Sequence, residues 1–314
     1  MSKIVPLVTQ LSSDEATAWL AALRPVLPEY DIRMLDELTA EQRATVEVAI
    51  AANPDPTELA TLPALKWVQS LWAGVERLVA TTRDANFAIV RMTDPQLAQT
   101  MAEAVLAWTL YLHRDMPRYR TQQAARIWQQ HPLPLPAART VSILGLGHLG
   151  KLAAQRLLQQ EFTVCGWSRS PTSLEGVNTF SGPTGLTDMV QRSHILICLL
   201  PLTHKTQGLL NRETLALLPP GAALINFARG PIVETEALIA HLDSQHLSHA
   251  VLDVFDEEPL PPQSPLWSHP GITVLPHISA PTNKPTAADI VAQNLNQFFV
   301  AGEIPASVDR ALGY

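Results

Sequence analysis

The chain has 314 residues, of which 46% are hydrophobic and 16% are charged, so it can bury a substantial core and does not have the composition of a disordered protein. Its formal net charge of −7 argues against nucleic acid or an anionic membrane surface as a partner. No signal peptide is evident, and no segment approaches the roughly 18 apolar residues of a membrane span, so we expect a cytoplasmic protein without a membrane partner.

The first hundred residues predict alternating strands and helices. Five short apolar segments are rich in residues that favour strands, and a helical period separates the first two. The predicted strands are KIVPLVT, DIRML, TVEVAIA, LKWVQSLW and FAIVRM, and the first helix is SDEATAWLAALRPVL. A long helical pattern over residues 94–115 then leads into the second part of the chain.

From Thr140 onward, short runs of Val, Ile and Leu alternate with helical periods. Such nearly continuous apolar runs are typical of strands that helices cover on both faces of a parallel sheet. The predicted strands are TVSILG, FTVCGW, HILICLLP, AALINFA, HAVLDVF and ITVLPHI, and the helices are HLGKLAAQRLLQQ, LTDMVQRS, RETLALLPPG, ETEALIAHLDSQ and the closing ADIVAQNLNQFFVAGE. The predicted fold class is therefore α/β with doubly wound parallel sheets.

A glycine-rich turn, GLGHLG, joins the first of these strands to its helix. Gly145 permits the tight turn, Gly147 lets the backbone approach a pyrophosphate, and Gly150 allows the helix to pack closely on the strand. The free amides and the dipole at the start of the helix favour phosphate groups. In this strand–turn–helix context, the motif predicts a dinucleotide-binding site.

The next strand ends without the carboxylate that normally holds the ribose hydroxyls of NAD(H). The sequence there is WSRS, in which Arg169 can pair with a 2′-phosphate and Ser168 and Ser170 add hydroxyls. Alternatively, Arg169 is a surface arginine in a polar loop. With the glycine turn nearby, we expect NADP(H) to be preferred, and NAD(H) stays possible.

Three polar residues follow later strands: Arg229 in INFARGP, Glu258 in LDVFDEEPLP and His277 at the end of the last strand. Residues just beyond the carboxyl ends of parallel strands face the ligand crevice, so all three are expected on the edge that carries the glycine turn. Each could instead be structural: a surface arginine, a solvated acidic run or a capped core histidine. Together they suit hydride transfer to a 2-oxo acid. Arg229 can bind the substrate carboxylate, His277 can donate a proton, and Glu258 can keep the imidazole of His277 charged.

The cysteines and the remaining histidines predict neither a disulfide nor a metal site. Cys165 and Cys198 lie within apolar runs, where they are expected to be buried as small hydrophobic residues. The segment HLDSQHLSH has no supporting cysteine or carboxylate ligand. We therefore interpret its histidines, His241, His246 and His249, as a solvated helix end.

Over nearly its whole length, the chain resembles the D-isomer-specific 2-hydroxyacid dehydrogenases. The resemblance depends on GLGHLG, CGWSRS, LLPLTHKTQGLL, NFARGP, LDVFDEEPLPPQSPLW, LPHISA and VDRALGY, which are specific in combination. It implies a Rossmann-type cofactor domain at residues 99–285 and a flavodoxin-like substrate domain from residues 1–98 and 286–314. The implied assembly is a homodimer, with the substrate held between the two domains.

The activity that the resemblance implies is reduction of small 2-oxo acids, such as glyoxylate and hydroxypyruvate, to 2-hydroxy acids. One alternative is a non-catalytic nucleotide sensor or corepressor on the same fold, although the three candidate catalytic residues argue against it. Another is an S-adenosylmethionine methyltransferase. That class needs an acidic residue where Ser168 and Arg169 stand, which disfavours it.

The resemblance also assigns roles around the cofactor. Arg229, Glu258 and His277 form the catalytic set, in which His277 is the acid/base and Glu258 its partner. Asp253 is implied to lie near the nicotinamide amide. The further cofactor contacts are expected in the glycine turn and after the later strands, at His148, Leu149, Leu200, Pro201, Thr206, Phe227 and Ala228.

On the substrate side, a carboxylate-binding loop of the family matches SLWAGVERL. The backbone amides of Ala73, Gly74 and Val75 at a helix start are expected to bind the substrate carboxylate, alongside the Arg229 and His277 side chains. Trp72 replaces the small residue usual in the family, and either packs in the core or narrows the pocket in favour of small substrates. Trp128 matches an aromatic residue that reaches the active site of the partner subunit in related reductases.

Overall fold

A computed structural model describes residues 3–310 and separates the chain into two compact units. One unit comprises Met1–Gln96 and Thr282–Tyr314, and the other comprises Leu97–Pro281. Each contains one parallel sheet with hydrophobic clusters on both of its faces, so the predicted α/β class with two doubly wound sheets is confirmed. Within the described range, none of the helices combines the length and apolar character needed to cross a bilayer.

The first unit has the strand order of flavodoxin-like sheets. Its five strands pair in parallel, with the first strand between the second and third and the fourth and fifth following outward. The strands are β1 (Lys3–Thr9), β2 (Tyr30–Met34), β3 (Val48–Ala52), β4 (Trp67–Ser70) and β5 (Ala88–Val90), and the helices up to this point are α1 (Ser13–Val26), α2 (Ala40–Arg43), α3 (Pro56–Leu59) and α4 (Glu76–Thr81).

The second unit carries seven parallel strands. They are β6 (Thr140–Leu144), β7 (Thr163–Ser168), β8 (Asn178–Ser181), β9 (Ile195–Cys198), β10 (Ala222–Asn226), β11 (Leu247–Leu252) and β12 (Ile272–Val274), in the order β12-β11-β10-β9-β6-β7-β8. The helices are α5 (Pro95–His113), α6 (Met116–Ala124), α7 (His148–Leu158), α8 (Gly182–Val190), α9 (Arg212–Ala216) and α10 (Thr235–Asp243). The strand order reverses between β6 and β9, and this switch point is where open α/β sheets bind ligands.

The sheet of the first unit is buried on both faces because neighbouring residues of a strand point in opposite directions. Val5 and Leu7 of β1 pack with Trp19 of α1 and with Val291 of the last helix, α11 (Lys284–Ala301). Val8 belongs to the cluster on the other face. The N-terminal and C-terminal segments of the chain therefore build one core together.

The sheet of the second unit alternates in the same way. Ile143 of β6 packs with Val105 of α5 and Leu157 of α7, whereas the neighbouring Leu144 joins a separate cluster with Leu238 of α10. The two predicted buried cysteines are confirmed, since Cys165 on β7 and Cys198 on β9 are both buried and unpaired. Strand β9 is the central strand of the seven, and β7 lies next to the edge strand β8.

Several elements depart from the sequence prediction. Strand β8 was not predicted because its four residues include only Phe180 as an apolar side chain, and it lies at the sheet edge. Helix α6 is polar nearly all round, so it gives no hydrophobic period. Helix α8 begins at Gly182, before the predicted LTDMVQRS, because Pro183 occupies its first turn and starts the helix early.

The interpretation of three histidines as a solvated helix end is wrong for His249. His249 lies on β11, is 5% exposed, and places its Nε2 2.9 Å from Thr273 Oγ1. Burial, followed by the charges of Arg120 and His269, lowers the pKa of His249 to about 4. Among residues 3–310, no group of three or more His, Cys, Asp or Glu side chains is arranged to hold a metal ion.

Candidate active site

The candidate residues of the second unit lie at the edge of its sheet formed by the carboxyl ends of the strands. All seven strands are parallel, so the residues that follow them are at the same edge. These residues are Gly145 after β6, Arg169 after β7, Leu200 after β9, Arg229 after β10, Asp253 after β11 and His277 after β12.

The glycine turn at this edge depends on two tight backbone approaches. Gly145 has a φ of 106°, and a Cβ there would lie 2.9 Å from the carbonyl oxygen of Leu199. A Cβ on Gly150 would lie 1.9 Å from the carbonyl oxygen of Gly145, so α7 can pack against the turn only through a glycine. No other residue type fits either position without moving backbone.

Gly147 differs, because a Cβ built on it meets no atom within 4 Å. It is exposed and directly precedes α7, whose first residues are His148 and Leu149. The first amides of α7 have no partner within the helix, and a side chain at Gly147 would fill part of the open space beside them. The turn fits the pyrophosphate of a dinucleotide, which binds against backbone amides at a helix start.

The end of β7 presents hydroxyls and a guanidinium, with no carboxylate, in the segment Ser168–Arg169–Ser170. Ser168 Oγ donates to the carbonyl oxygen of Ser170 at 2.7 Å, which holds the chain in a turn after the strand. Trp167 Nε1 donates to the carbonyl oxygen of Gly182 at 2.8 Å and fixes the preceding residue. Arg169 is exposed at the tip of this turn.

Glu258 and His277 form the central pair of the site. His277 Nδ1 lies 2.7 Å from Glu258 Oε2, and Glu258 Oε1 accepts a hydrogen bond from the backbone N–H of Phe255 at 2.9 Å. The side chain of His277 is 53% exposed and that of Glu258 is 36% exposed, so the pair is accessible to a small molecule. The core-histidine alternative therefore does not describe His277.

The two partners shift each other's pKa in opposite directions. The hydrogen bond from His277 to Glu258, reinforced by the charge of the carboxylate, raises the pKa of the imidazole despite its partial burial and the charge of Arg229. Partial burial acts to raise the pKa of Glu258, but the hydrogen bonds from His277 and Phe255 and the charges of His277 and Arg229 lower it overall. The pair is thus stabilised as imidazolium and carboxylate.

Arg229 acts electrostatically on both members of this pair, so the structure brings all three candidate catalytic groups within electrostatic reach. Arg229 Nη1 donates to the carbonyl oxygen of Ala228 at 2.7 Å. The turn that carries it is held by Asn226, which donates to the carbonyl oxygen of Arg229 at 3.1 Å and accepts from the N–H of Ala228 at 3.2 Å. Asn226 was not predicted, and the signal for it in the sequence is a single polar residue within the apolar run AALINFA.

Gly230 is a second residue that sequence analysis missed. A Cβ there would lie 2.0 Å from the carbonyl carbon of Phe255, so the loop that carries Arg229 and the loop that carries Glu258 meet through this glycine. The two loops follow neighbouring strands, β10 and β11. Their contact sets the positions of the guanidinium and the carboxylate relative to each other.

The prediction that His277 ends the last strand is wrong. Strand β12 ends at Val274, and His277 lies three residues further on with a φ of 55°, in the left-handed region. Asp253 holds this turn: its Oδ1 accepts from the N–H of Ile278 at 2.7 Å and its Oδ2 from the N–H of Ser279 at 2.9 Å. The buried Asp253 carboxylate therefore fixes the backbone on the C-terminal side of the histidine.

The other predicted cofactor contacts fall into two groups. Leu200, Phe227 and Ala228 are buried residues, each 4–7% exposed. Thr206 Oγ1 donates to the carbonyl oxygen of Pro201 at 2.7 Å and closes the loop after β9. Contact of any of these residues with a cofactor stays a prediction.

The predicted carboxylate loop lies in the first unit, between β4 and α4. Val75 directly precedes α4, and Ala73 and Gly74 lie just before it. Trp72 is half-buried: its ring packs edge-on against Trp19, with centroids 5.9 Å apart, and joins the rim of the core. Trp72 therefore packs partly in the core, and whether its exposed part narrows the substrate pocket stays a prediction.

Comparison with known proteins gives consistent results. The family model described as the NAD binding domain of D-isomer specific 2-hydroxyacid dehydrogenase matches residues 106–279. A D-isomer specific 2-hydroxyacid dehydrogenase from Xanthobacter autotrophicus Py2, crystallised with NADPH and MES, is 36% identical, with a TM-score of 0.92 and full coverage of both chains. The NADPH-dependent glyoxylate/hydroxypyruvate reductase SmGhrA from Sinorhizobium meliloti, crystallised with NADP and sulfate, is 30% identical, with a TM-score of 0.91, covering 99% of this chain and 100% of its own. A family protein from Klebsiella pneumoniae 342 is also 30% identical, with a TM-score of 0.90 and 98% coverage of each chain.

Proposed function

This chain belongs to the D-isomer specific 2-hydroxyacid dehydrogenases, and we propose that it reduces small 2-oxo acids of the glyoxylate and hydroxypyruvate class, with NADPH preferred to NADH. The observation that carries the proposal is the 2.7 Å pair of Glu258 and His277, under the charge of Arg229, on the sheet edge that bears the glycine turn. In this proposal the unit at Leu97–Pro281 binds the cofactor and the other unit contributes to substrate binding.

In the proposed reduction, the cofactor and three side chains have separate roles. Bound nicotinamide cofactor supplies the hydride. Arg229 orients the substrate and polarises its ketone with its fork of N–H donors. Because Nδ1 of His277 is held by Glu258, Nε2 is the atom that gives a proton to the alkoxide oxygen. Glu258 keeps the imidazole protonated until that transfer.

The cofactor and the substrate carboxylate are held chiefly by backbone. The amides at the start of α7 and the open face of Gly147 would hold the pyrophosphate. Arg169, with Ser168 and Ser170, would hold the 2′-phosphate that distinguishes NADPH. The amides of the Ala73–Val75 loop would hold the substrate carboxylate.

We extend the proposal to a homodimer in which Trp128 reaches the partner subunit. Trp128 is 97% exposed, and the same segment exposes Ile127, Leu133 and Leu135. Neighbouring exposed apolar side chains of this kind are typical of protein–protein interfaces.

The direct test is an absorbance assay of purified protein with NADPH and NADH against a panel of 2-oxo acids. We expect turnover with glyoxylate and hydroxypyruvate, and a higher kcat/KM with NADPH. A chain that binds NADPH but turns over none of the acids would instead be a nucleotide sensor, and the proposed function would be wrong.

Charge reversal at Arg169 tests the cofactor assignment. We expect Arg169→Asp to raise the KM for NADPH by roughly 10- to 100-fold, because a charge-assisted contact becomes a repulsion, and to leave the KM for NADH nearly unchanged. Steady-state kinetics with both cofactors measure the effect. Arg192→Asp is a matched control, since Arg192 is exposed and precedes β9 at the opposite edge of the sheet. Equal effects of Arg169→Asp on the two cofactors would contradict the assignment.

Glu258→Gln tests the coupling of the central pair. The carboxylate raises the pKa of His277, so its removal lowers that pKa. Reduction needs the imidazolium, which is populated below its pKa, and the alkaline limb of the pH–rate profile should therefore move to lower pH. The neighbouring Glu257→Gln removes the same charge without touching His277 and should leave the profile in place. An unmoved limb in Glu258→Gln would argue against the pairing.

A further inference from the structure

Trp72 has a hydrogen-bond partner that neither the sequence motifs nor the proposed chemistry involves. Its Nε1 donates to Asn53 Oδ1 at 3.0 Å. Asn53 is the residue after β3, and Trp72 is two residues past β4, the neighbouring parallel strand. Both residues therefore lie at the carboxyl edge of the first sheet, and the bond joins two loops that follow adjacent strands.

The backbone of Asn53 is fixed in an uncommon conformation. Its φ is 50°, in the left-handed region, which asparagine adopts more readily than most residues other than glycine. Its carbonyl oxygen accepts a hydrogen bond from the N–H of Gln10, just after β1, at 3.2 Å. The amide side chain of Asn53 is thus presented to Trp72 from a backbone tied to a third strand.

Trp72 is held at its backbone and on one side of its ring. Ser70 Oγ accepts from the N–H of Trp72 at 3.0 Å and donates to its carbonyl oxygen at 3.1 Å, and the N–H of Met92 donates to the same oxygen at 3.0 Å. The ring packs against Trp19, which is 2% exposed. With Asn53 on its indole nitrogen, the exposed part of the ring is a fixed wall rather than a mobile side chain.

This wall borders the loop that we assign to the substrate carboxylate. A cavity of about 70 Å³ is lined by Asn53, Trp72, Gly74 and Val75, among others, all within the first unit. The indole and the amide that fixes it therefore share one small depression with the loop amides. Because the Trp72 indole is large and lies beside the loop assigned to the substrate carboxylate, it is placed to limit the length of the rest of the substrate.

We propose that Asn53 is a positioning residue for substrate selection, which holds the Trp72 indole beside the carboxylate loop and restricts the enzyme to 2-oxo acids with at most one carbon beyond C2. This inference rests on the proposed function. It adds that the preference for two- and three-carbon acids depends on the hydrogen bond between Asn53 and Trp72, and not on the presence of the indole alone.

The test compares kcat/KM for glyoxylate with that for 2-oxobutanoate and 4-methyl-2-oxopentanoate. Asn53→Gly removes the acceptor, and glycine adopts the left-handed backbone without strain. Asn53→Asp keeps an acceptor oxygen in a residue that also tolerates this backbone. We expect Asn53→Gly to reduce the preference for glyoxylate by about fivefold, corresponding to the loss of one hydrogen bond, and Asn53→Asp to retain it.

The kinetic constants distinguish positioning from simple destabilisation. In Asn53→Gly, the KM of the longer acids should fall more than the KM for glyoxylate, while the Kd for NADPH stays unchanged. Trp72→Phe, which keeps a ring but removes its N–H donor, should reproduce the effect, and the double variant should add nothing to it. Thermal unfolding of each variant with and without NADPH verifies that the fold is retained.

Two outcomes would overturn the inference while leaving the proposed function intact. If Trp72→Ala relaxes the preference and Asn53→Gly does not, the indole selects substrates without help from Asn53. If neither variant changes the preference, Trp72 does not border the substrate. A wild-type chain that reduces no 2-oxo acid would instead refute the proposed function itself, and substrate selection with it.

Discussion

Replacing His277 with alanine is expected to lower kcat for 2-oxo acid reduction by roughly 10²- to 10⁴-fold, the range of a lost general acid. The Kd for NADPH should stay nearly unchanged, because the turn that we assign to the pyrophosphate belongs to β6 and α7 and does not involve the histidine. Single-turnover kinetics and a fluorescence titration with NADPH separate the two quantities.

The matched control for this substitution is His241→Ala. His241 lies on α10, away from the carboxyl edge of the sheet, and its Nε2 lies 3.0 Å from the carbonyl oxygen of Arg212. This variant should retain full turnover. A His277→Ala enzyme that retained it as well would show that the proton comes from another group, and the role of the pair with Glu258 would have to be abandoned.

A pair of glycine substitutions should separate folding from cofactor binding. Gly150→Ala places a Cβ 1.9 Å from the carbonyl oxygen of Gly145, so helix and turn must move apart. We expect a loss of about 3 kcal/mol or more in the free energy of unfolding, at the upper end for overpacked sites. NADPH binding should be lost at the same time, because the turn that carries Gly147 is displaced.

Gly147→Ala is expected to behave in the opposite way. The added Cβ meets no atom within 4 Å, so the midpoint of thermal unfolding without ligand should not change. The methyl group occupies the open face that we assign to the pyrophosphate, and a penalty of ~1.4 kcal/mol or more would weaken NADPH binding at least tenfold. Calorimetric unfolding and a binding titration measure both values. Unchanged NADPH affinity in Gly147→Ala would contradict the assignment of this turn to the cofactor.

Sequence analysis predicted the elements that helices cover on both faces. Strands such as β1, β6 and β10 are nearly continuous apolar runs, and buried strands of parallel sheets have this composition. It failed for β8 and α6, where partly exposed or polar residues give no period. It also extended the last strand through His277. An apolar run does not reveal that Asp253, far away in the sequence, accepts hydrogen bonds from the backbone after His277 and holds it in a turn.

The candidate site was predicted as far as chemistry and strand ends allow. The placement of Arg229, Glu258 and His277 after parallel strands predicted a shared edge, and the structure shows one. The contacts that position these groups were not predictable. Asp253 binds the N–H groups of residues 25 and 26 positions later, and Gly230 meets Phe255 across two loops. Such pairings depend on the register of strands, which composition and spacing do not encode.

The discontinuous core of the first unit has a consequence for biosynthesis. Val5 and Leu7 of β1 are covered in part by Val291 and Leu295 of α11, near the other end of the chain. During translation, the segment at Leu97–Pro281 is synthesised before that helix, so this unit can begin to fold before the core of the first unit is complete. Until α11 emerges, part of one face of the early strands stays uncovered, and exposed apolar surface of this kind makes a nascent chain prone to aggregation.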